Sequence, residues 1–240
     1  MEPSNPNVEV FNRDAISNLG YLYTTNTKLS SRLATQRSTD VILELGQFEG
    51  RSIIDMGCGD AFYTNKFWDK GRPRSMTAID AAAEAIKICE TRKEGRPISF
   101  QVGDAHCLPF PDNSFDVALV QSILHHDNDP IDLIREAFRV APEVLIHEPN
   151  GNNLGLKIIE KASRYHREHA EKSYLSAQIV RWVERAGGRA VRSRFAGFVP
   201  MFSPDWIAKS MKAVEPLIEA LPGIRTLACA VFIIVGKRQG

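Results

Sequence analysis

The sequence predicts an open α/β protein, a mostly parallel sheet with helices on both faces. Three observations predict it. Ser52-Ile-Ile-Asp-Met-Gly-Cys-Gly-Asp-Ala-Phe-Tyr-Thr64 reads as a short buried strand, a glycine turn and a helix start. From Ile53 to His147 strand-length apolar runs alternate with helix-length amphipathic ones. That alternation implies parallel pairing with right-handed crossovers. Asp55, Asp80 and Asp104 end successive strands, and ligands bind at the carboxyl ends of strands in open α/β sheets.

Taken in order, residues 1–13 are polar, carry two prolines and read as loose. A helical stretch is expected around Leu29–Ala34, then a second helix from an N-cap at Ser38 to about Gln47, burying Val41, Ile42 and Leu45. The strands that follow are Ile53–Asp55, Met76–Asp80, Ile98–Val102, Asp116–Ser122 and Val144–His147. Helices at 61–70 (closed by Gly71), 82–91 and 130–139 separate them. After Asn150 the alternation breaks into a polar helical segment at 154–171, then a helix from Ser176 to Gly187. A strand at 190–198 leads to an amphipathic helix with Trp206, Ile207, Met211 and Val214 inward, kinked or ended by Pro216. The last strand is expected at Leu227–Val235.

The bulk properties narrow the function. The chain has 240 residues, 43% hydrophobic and 25% charged, with a net charge of +1, as an ordinary globular domain does. No basic run stands out, which disfavours nucleic acid as a partner. Cys58, Cys89, Cys107 and Cys229 form no CxxC pair and no zinc spacing, so no metal is expected and a reducing compartment suits them. The N-terminus lacks the parts of a signal peptide. The longest apolar run is too short to span a bilayer. The expectation is a cytoplasmic protein without stable membrane insertion.

Gly57 and Gly59, with Cys58 between them, allow a tight turn and a close ligand. A dinucleotide fingerprint would carry a third glycine where Phe62 stands. That ring and the Asp60 carboxylate should crowd and repel a pyrophosphate, which argues against a nicotinamide oxidoreductase and for a ligand without phosphate. Asp80, beside Ala81, lies 25 positions after Asp55, where a carboxylate accepts from ribose hydroxyls in nucleotide folds. Asp104 ends a strand and can accept from an adenine amine, with the Ala105 backbone beside it.

Asp55-x-Gly57-x-Gly59 resembles the first motif of the class I S-adenosylmethionine (SAM)-dependent methyltransferases, with Ala61 where a third glycine is common. Gly103-Asp-Ala-His-Cys-Leu-Pro-Phe-Pro-Asp-Asn-Ser-Phe-Asp-Val117 resembles the D-A-x-x-L-P-F-x-D-x-S-F-D segment of their type-11 family, which includes the ubiquinone/menaquinone C-methyltransferases. The resemblance covers residues 50–150. It implies a Rossmann-like class I methyltransferase sheet whose last strand is antiparallel, SAM as cofactor and a small-molecule acceptor. It places Gln121 beside the methionine part of SAM. It implies that the leading segment with Tyr21, Tyr23 and Thr24 folds over the cofactor, and Leu108, Pro109 and Phe110 are expected to cover the adenine ring. The expected layout is one domain: an N-terminal helical lid (1–49), a SAM-binding core (50–150), a helical cap (151–175) and the rest of the sheet (176–240).

Two histidine clusters at strand ends can supply a base: Leu124-His125-His126-Asp127 and His147-Glu148-Pro149-Asn150. The combination resembles the His-plus-acid pair of sugar O-methyltransferases, which points to His125 as base and Glu148 as partner, with His126 and His147 in reserve. Transfer to a sugar or natural-product hydroxyl is the first expectation and transfer to a quinone-like or polyketide carbon the second. A SAM-binding protein without transferase activity is the reading from another class. Tyr165, His166 and His169 share one face of the expected cap helix. The segment Gly197–Phe202 with Trp206 is expected to wall the acceptor pocket or to join the core. The amphipathic stretch Glu215–Leu221 leaves packing on the sheet or on a second subunit open.

Overall fold

The computed structural model describes residues 9, 12, 13, 15, 16, 20–162 and 172–239, without the side chains of residues 22, 23, 161 and 162. A short helix α1 (Leu22–Thr25) and a long helix α2 (Leu29–Gly46) precede the sheet. The core then alternates: β1 (Ser52–Met56), α3 (Phe62–Gly71), β2 (Ser75–Asp80), α4 (Ala83–Arg92), β3 (Ile98–Val102), β4 (Val117–Gln121), α5 (Pro130–Val140) and β5 (Glu143–Pro149). There follow α6 (Leu154–Ala162), α7 (Ser176–Arg185), β6 (Gly188–Ala196), α8 (Asp205–Ala220), α9 (Pro222–Ala228) and β7 (Val231–Arg238).

The seven strands run in the order β3-β2-β1-β4-β5-β7-β6. The pairs from β3 to β5 are parallel, and β7 inserts antiparallel between β5 and β6. The order reverses between β1 and β4, so a crevice opens at their carboxyl ends. Core clusters lie on both faces. Phe138, Ile134 and Trp182 pack on one side, and Ile42, Phe48 and Phe67 on the other. Fully buried strands such as β1 and β4 explain the unbroken apolar runs.

Five local expectations fail for physical reasons. Ser38 caps nothing: α2 is continuous through it, because no Gly or Pro interrupts Thr35–Arg37, and the Thr35 and Thr39 hydroxyls bond to carbonyls one turn back. Gly71 does not close α3. It lies in the last turn, where a Cβ would meet Leu43 of α2 at 2.8 Å, and Arg72 takes the left-handed cap instead. Pro216 does not end α8, which runs on to Ala220 with Pro216 on its exposed side. Trp206 and Val214 point outward, with Trp206 71% exposed, while Ala208 and the Glu215 carboxylate take the buried side. A second helix follows α8 where a strand is expected. Pro222 opens α9, so Leu227 is helical and the last strand starts at Val231. Among the described residues no helix is long and apolar enough to cross a membrane. Tyr165, His166 and His169 lie outside the described residues.

Candidate active site

A cavity of about 700 Å³ opens at the carboxyl ends of β1, β2, β3, β4 and β5. Asp55, Gly57, Cys58, Gly59, Asp80, Ala81, Asp104, Ala105, Gln121, His125, His126 and His147 all line it. Glu148 stands behind the wall, fully buried. Tyr23 falls in α1, but its side chain lies outside the described residues, and Tyr21 and Thr24 reach the cavity from that segment.

The glycine loop is shaped by the protein's own side chains. Gly57 and Gly59 hold φ of 77° and 57°, the left-handed region that favours glycine. A Cβ on Gly57 would strike the Ile123 side chain, and one on Gly59 would meet the Tyr21 ring at 2.8 Å. The missing Cβ atoms therefore admit Ile123 and Tyr21 as much as a ligand. Ala61 also has a positive φ, 64°, at the N-cap of α3. Phe62 does not confront the ligand as expected, and Asp60, which lines the cavity, is engaged by protein groups. The Asp60 carboxylate is buried and engaged by Arg92 Nη1 at 2.7 Å, the Tyr21 N–H at 3.1 Å and the Thr24 hydroxyl at 2.5 Å. Phe62 turns away, under Lys66 at 4.0 Å from its ring centroid, and lines a different pocket. Asp55, Asp60, Asp80, Asp104 and Asp127 line the main cavity, and this acidic wall disfavours a pyrophosphate.

Each carboxylate has a defined mooring. Asp55 accepts from the Thr64 hydroxyl at 2.6 Å, and burial pushes its pKa up to about 7, with the Asp80 charge adding to the rise. Asp80 accepts from the Gly59 N–H at 2.9 Å and the Ala82 N–H at 2.8 Å, and burial raises its pKa also. Asp104 accepts from the His106 N–H at 2.9 Å. Leu108, Pro109 and Phe110 do not cover this end. Leu108 is core, Phe110 packs edge-on against Phe115, and none of the three lines the cavity.

Glu148 and His125 form a buried pair. Glu148 Oε1 accepts from the Ile123 N–H at 3.0 Å and the Leu124 N–H at 2.9 Å, and Oε2 lies 2.6 Å from His125 Nδ1. A carboxylate held this way has only acceptor capacity, so Nδ1 carries the proton and Nε2 is left as the basic nitrogen. The His126 ring lies against that of His125, with centroids 4.0 Å apart. His147 differs. Its nitrogens lie 3.2 Å from the Ser38 hydroxyl and 3.3 Å from that of Ser122, and burial lowers its pKa to about 4. It is neutral and ties α2 to the cavity floor. Ser122 itself has a φ of 56°, strain located at the site.

The far half of the cavity is apolar. Leu156 and Ile159 of α6, Met211 of α8, Val231 of β7 and the loop Gly197–Phe202 line it. Glu219 accepts from the Gly197 N–H and Glu215 from the Phe198 N–H, both at 2.9 Å, and Arg37 pairs with Glu219. Sequence reading missed Met211 as a lining residue, Thr64 as the Asp55 partner and His106. Only Thr64 and His106 carried a signal, since each sits inside a motif already singled out.

SAM fits the residues present. Gln121 Nε2 is buried without a hydrogen-bond partner among the described residues, a donor that a bound carboxylate satisfies. The acidic wall suits a cationic ligand. Comparison with known proteins agrees. Residues 54–143 match the type-11 methyltransferase family, described as a methyltransferase domain. The demethylmenaquinone methyltransferase of Thermotoga maritima is 28% identical over 202 residues, covering 79% of this chain and 81% of that protein. The fatty-acid O-methyltransferase of Mycolicibacterium smegmatis is 34% identical over 71 residues, 30% of this chain and 26% of that protein. The crystal structure of the (4+2)-cyclase SpnF shares the fold, with a TM-score of 0.71 at 18% identity over 98% of this chain and 96% of that chain. The chain spans half or less of the length of several curated relatives it matches.

Proposed function

We propose that the chain is a class I SAM-dependent methyltransferase of the type-11 family and that it methylates a hydroxyl oxygen on a largely apolar small molecule. The observation that carries this reading is the His125–Glu148 pair, 2.6 Å apart, with His125 on the cavity wall and Glu148 buried behind it. Bound SAM supplies an activated methyl group, and the protein has only to hold and deprotonate the acceptor. The acceptor lies in the apolar half, against Phe198, Met201 and Met211. His125 Nε2 takes the hydroxyl proton as the oxygen forms its bond to carbon, and Glu148 stabilises the resulting imidazolium. Asp80 accepts from the ribose, Asp104 and the Ala105 backbone meet the adenine, and the Gln121 amide meets the carboxylate. The segment Tyr21–Thr25 acts as a lid, moored through Tyr21 and Thr24 to Asp60. The apolar lining favours a natural product or lipid over a bare sugar.

A second reading is transfer to a quinone-like carbon. The Thermotoga maritima relative, named a demethylmenaquinone methyltransferase, favours it. A carbon acidified by a neighbouring oxygen needs the same base. One experiment separates the two: methyl-¹³C SAM is incubated with phenolic, fatty and quinol acceptors, and the product carbon is read by NMR. A methoxy resonance supports the oxygen acceptor. A C-methyl resonance alone overturns it.

A further inference from the structure

We propose that His106 is a positioning residue of the transfer site, an imidazole that ties the loop carrying Asp104 to the loop carrying His125 and His126 and thereby sets cofactor affinity. The proposal rests on the methyltransferase reading above. His106 belongs to the turn after β3, inside the segment that marks the family, and faces the cavity. Its N–H donates to Asp104 Oδ1 at 2.9 Å, and its ring Nδ1 lies 3.2 Å from the same oxygen. Its Nε2 lies 3.3 Å from Oδ1 of Asp127, the residue that follows the His125–His126 pair. Asp127 is buried and moored in turn. Its N–H donates to the Leu124 carbonyl at 3.2 Å, and its Oδ1 accepts from the Asp129 N–H at 2.6 Å.

The ring therefore stands between two carboxylates from two loops. A neutral imidazole has one N–H and one lone pair, so it can serve only one of them. The imidazolium serves both. The geometry and the charge balance agree: the Asp127 hydrogen bond, with Asp104 adding to it, raises the His106 pKa to about 9 against the lowering effect of burial. Asp104 and Asp127 are the charged groups that act on it. The tie is complete below the ordinary histidine pKa of about 6.5, persists through neutral pH, and is lost as pH rises through about 9. Losing it turns a lone pair toward one carboxylate and loosens both ends of one cavity, the adenine end and the base.

The test is calorimetric titration of S-adenosylhomocysteine into wild type, His106→Gln and Asp127→Asn between pH 6 and pH 10, with melting curves confirming that each is folded. Dissociation constants are compared as variant-to-wild-type ratios, so the ligand's own amine cancels. Each variant is expected to bind about tenfold more weakly at pH 7, the loss of one charge-assisted hydrogen bond. The ratio should fall toward one by pH 10, where the wild-type ring is also neutral. The double variant should be no worse than either single one at pH 7. Ratios of one at pH 7 would overturn the tie. So would ratios that stay constant with pH, since generic damage does not titrate. A wild type that binds no S-adenosylhomocysteine at any pH would overturn the methyltransferase reading itself, a different result from binding that the variants leave unchanged.

Discussion

The two halves of the cavity are built by different means. The cofactor half stands on strand ends. Asp55, Asp80 and Gln121 are the last or near-last residues of β1, β2 and β4, and backbone N–H groups or a buried hydroxyl orient the two carboxylates. The acceptor half stands on a loop and on helices outside the alternating core, with α6, α8 and the segment Gly197–Phe202 supplying mostly apolar side chains. A sheet's hydrogen-bond register fixes the first half. The second depends on helix packing and on two carboxylates, the buried Glu215 and the half-buried Glu219, that hold the loop by its backbone. Chemistry shared across a family belongs on the rigid frame, and specificity belongs on the part that can vary without disturbing the sheet.

The largest expected effect falls where the halves meet. His125→Gln retains a donor toward Glu148, so the buried carboxylate is not left unpaired, but it removes the base. We expect methyl transfer to slow by roughly 10²–10⁴-fold with S-adenosylhomocysteine affinity near wild type. Rates equal to wild type would leave alignment alone as the source of catalysis.

Next comes the cofactor half by itself. Asp80→Asn should weaken S-adenosylhomocysteine binding by about 1.5–3 kcal/mol, the range for hydrogen bonds to a charged group, while acceptor KM stays put. A calorimetric affinity that does not change in a folded variant would remove Asp80 from the ribose role. The mirror experiment is Met211→Ala. It should raise acceptor KM by the equivalent of about 1–2 kcal/mol, because a shortened side chain buries less apolar surface against the acceptor, and leave cofactor affinity alone. If both constants move together in either variant, the halves are not separable.

This division also explains what the sequence made legible. The cofactor half could be read because its signals are local: a strand, a glycine turn and a carboxylate at the next strand's end follow each other at short spacing. The His125–Glu148 pair could be read because β4 and β5 are adjacent parallel strands, so residues after one face residues at the end of the other. The acceptor half could be read only at the segment Gly197–Phe202, which lines it. Trp206 and Val214 share helical spacing with Ile207 and Met211, yet periodicity cannot say which apolar residues face the chamber and which face water. That depends on where Glu215 is drawn inward by the Phe198 N–H. His106 was passed over because its partners lie at Asp104 and Asp127, one of them on another loop.

The smallest effect concerns a place where the glycine loop departs from the motif it resembles. Ala61 stands where a third glycine is common, and its φ of 64° shows why glycine is preferred there. A left-handed alanine brings Cβ against the following carbonyl at roughly 1–2 kcal/mol. Ala61→Gly relieves that strain. Against it stand the greater backbone entropy of glycine in the unfolded chain, roughly 0.5–1 kcal/mol, and the packing of a methyl group that is fully buried. The balance should be a gain of at most about 1 kcal/mol, a rise in Tm of about 2–4 °C, with cofactor affinity unchanged because α3 already starts at Phe62. A fall in Tm would mean that the Ala61 methyl contributes more to packing the glycine loop than its conformation costs. The substitution would then be part of how this loop is held, as Tyr21 and Ile123 are, by side chains that fill the space beside it.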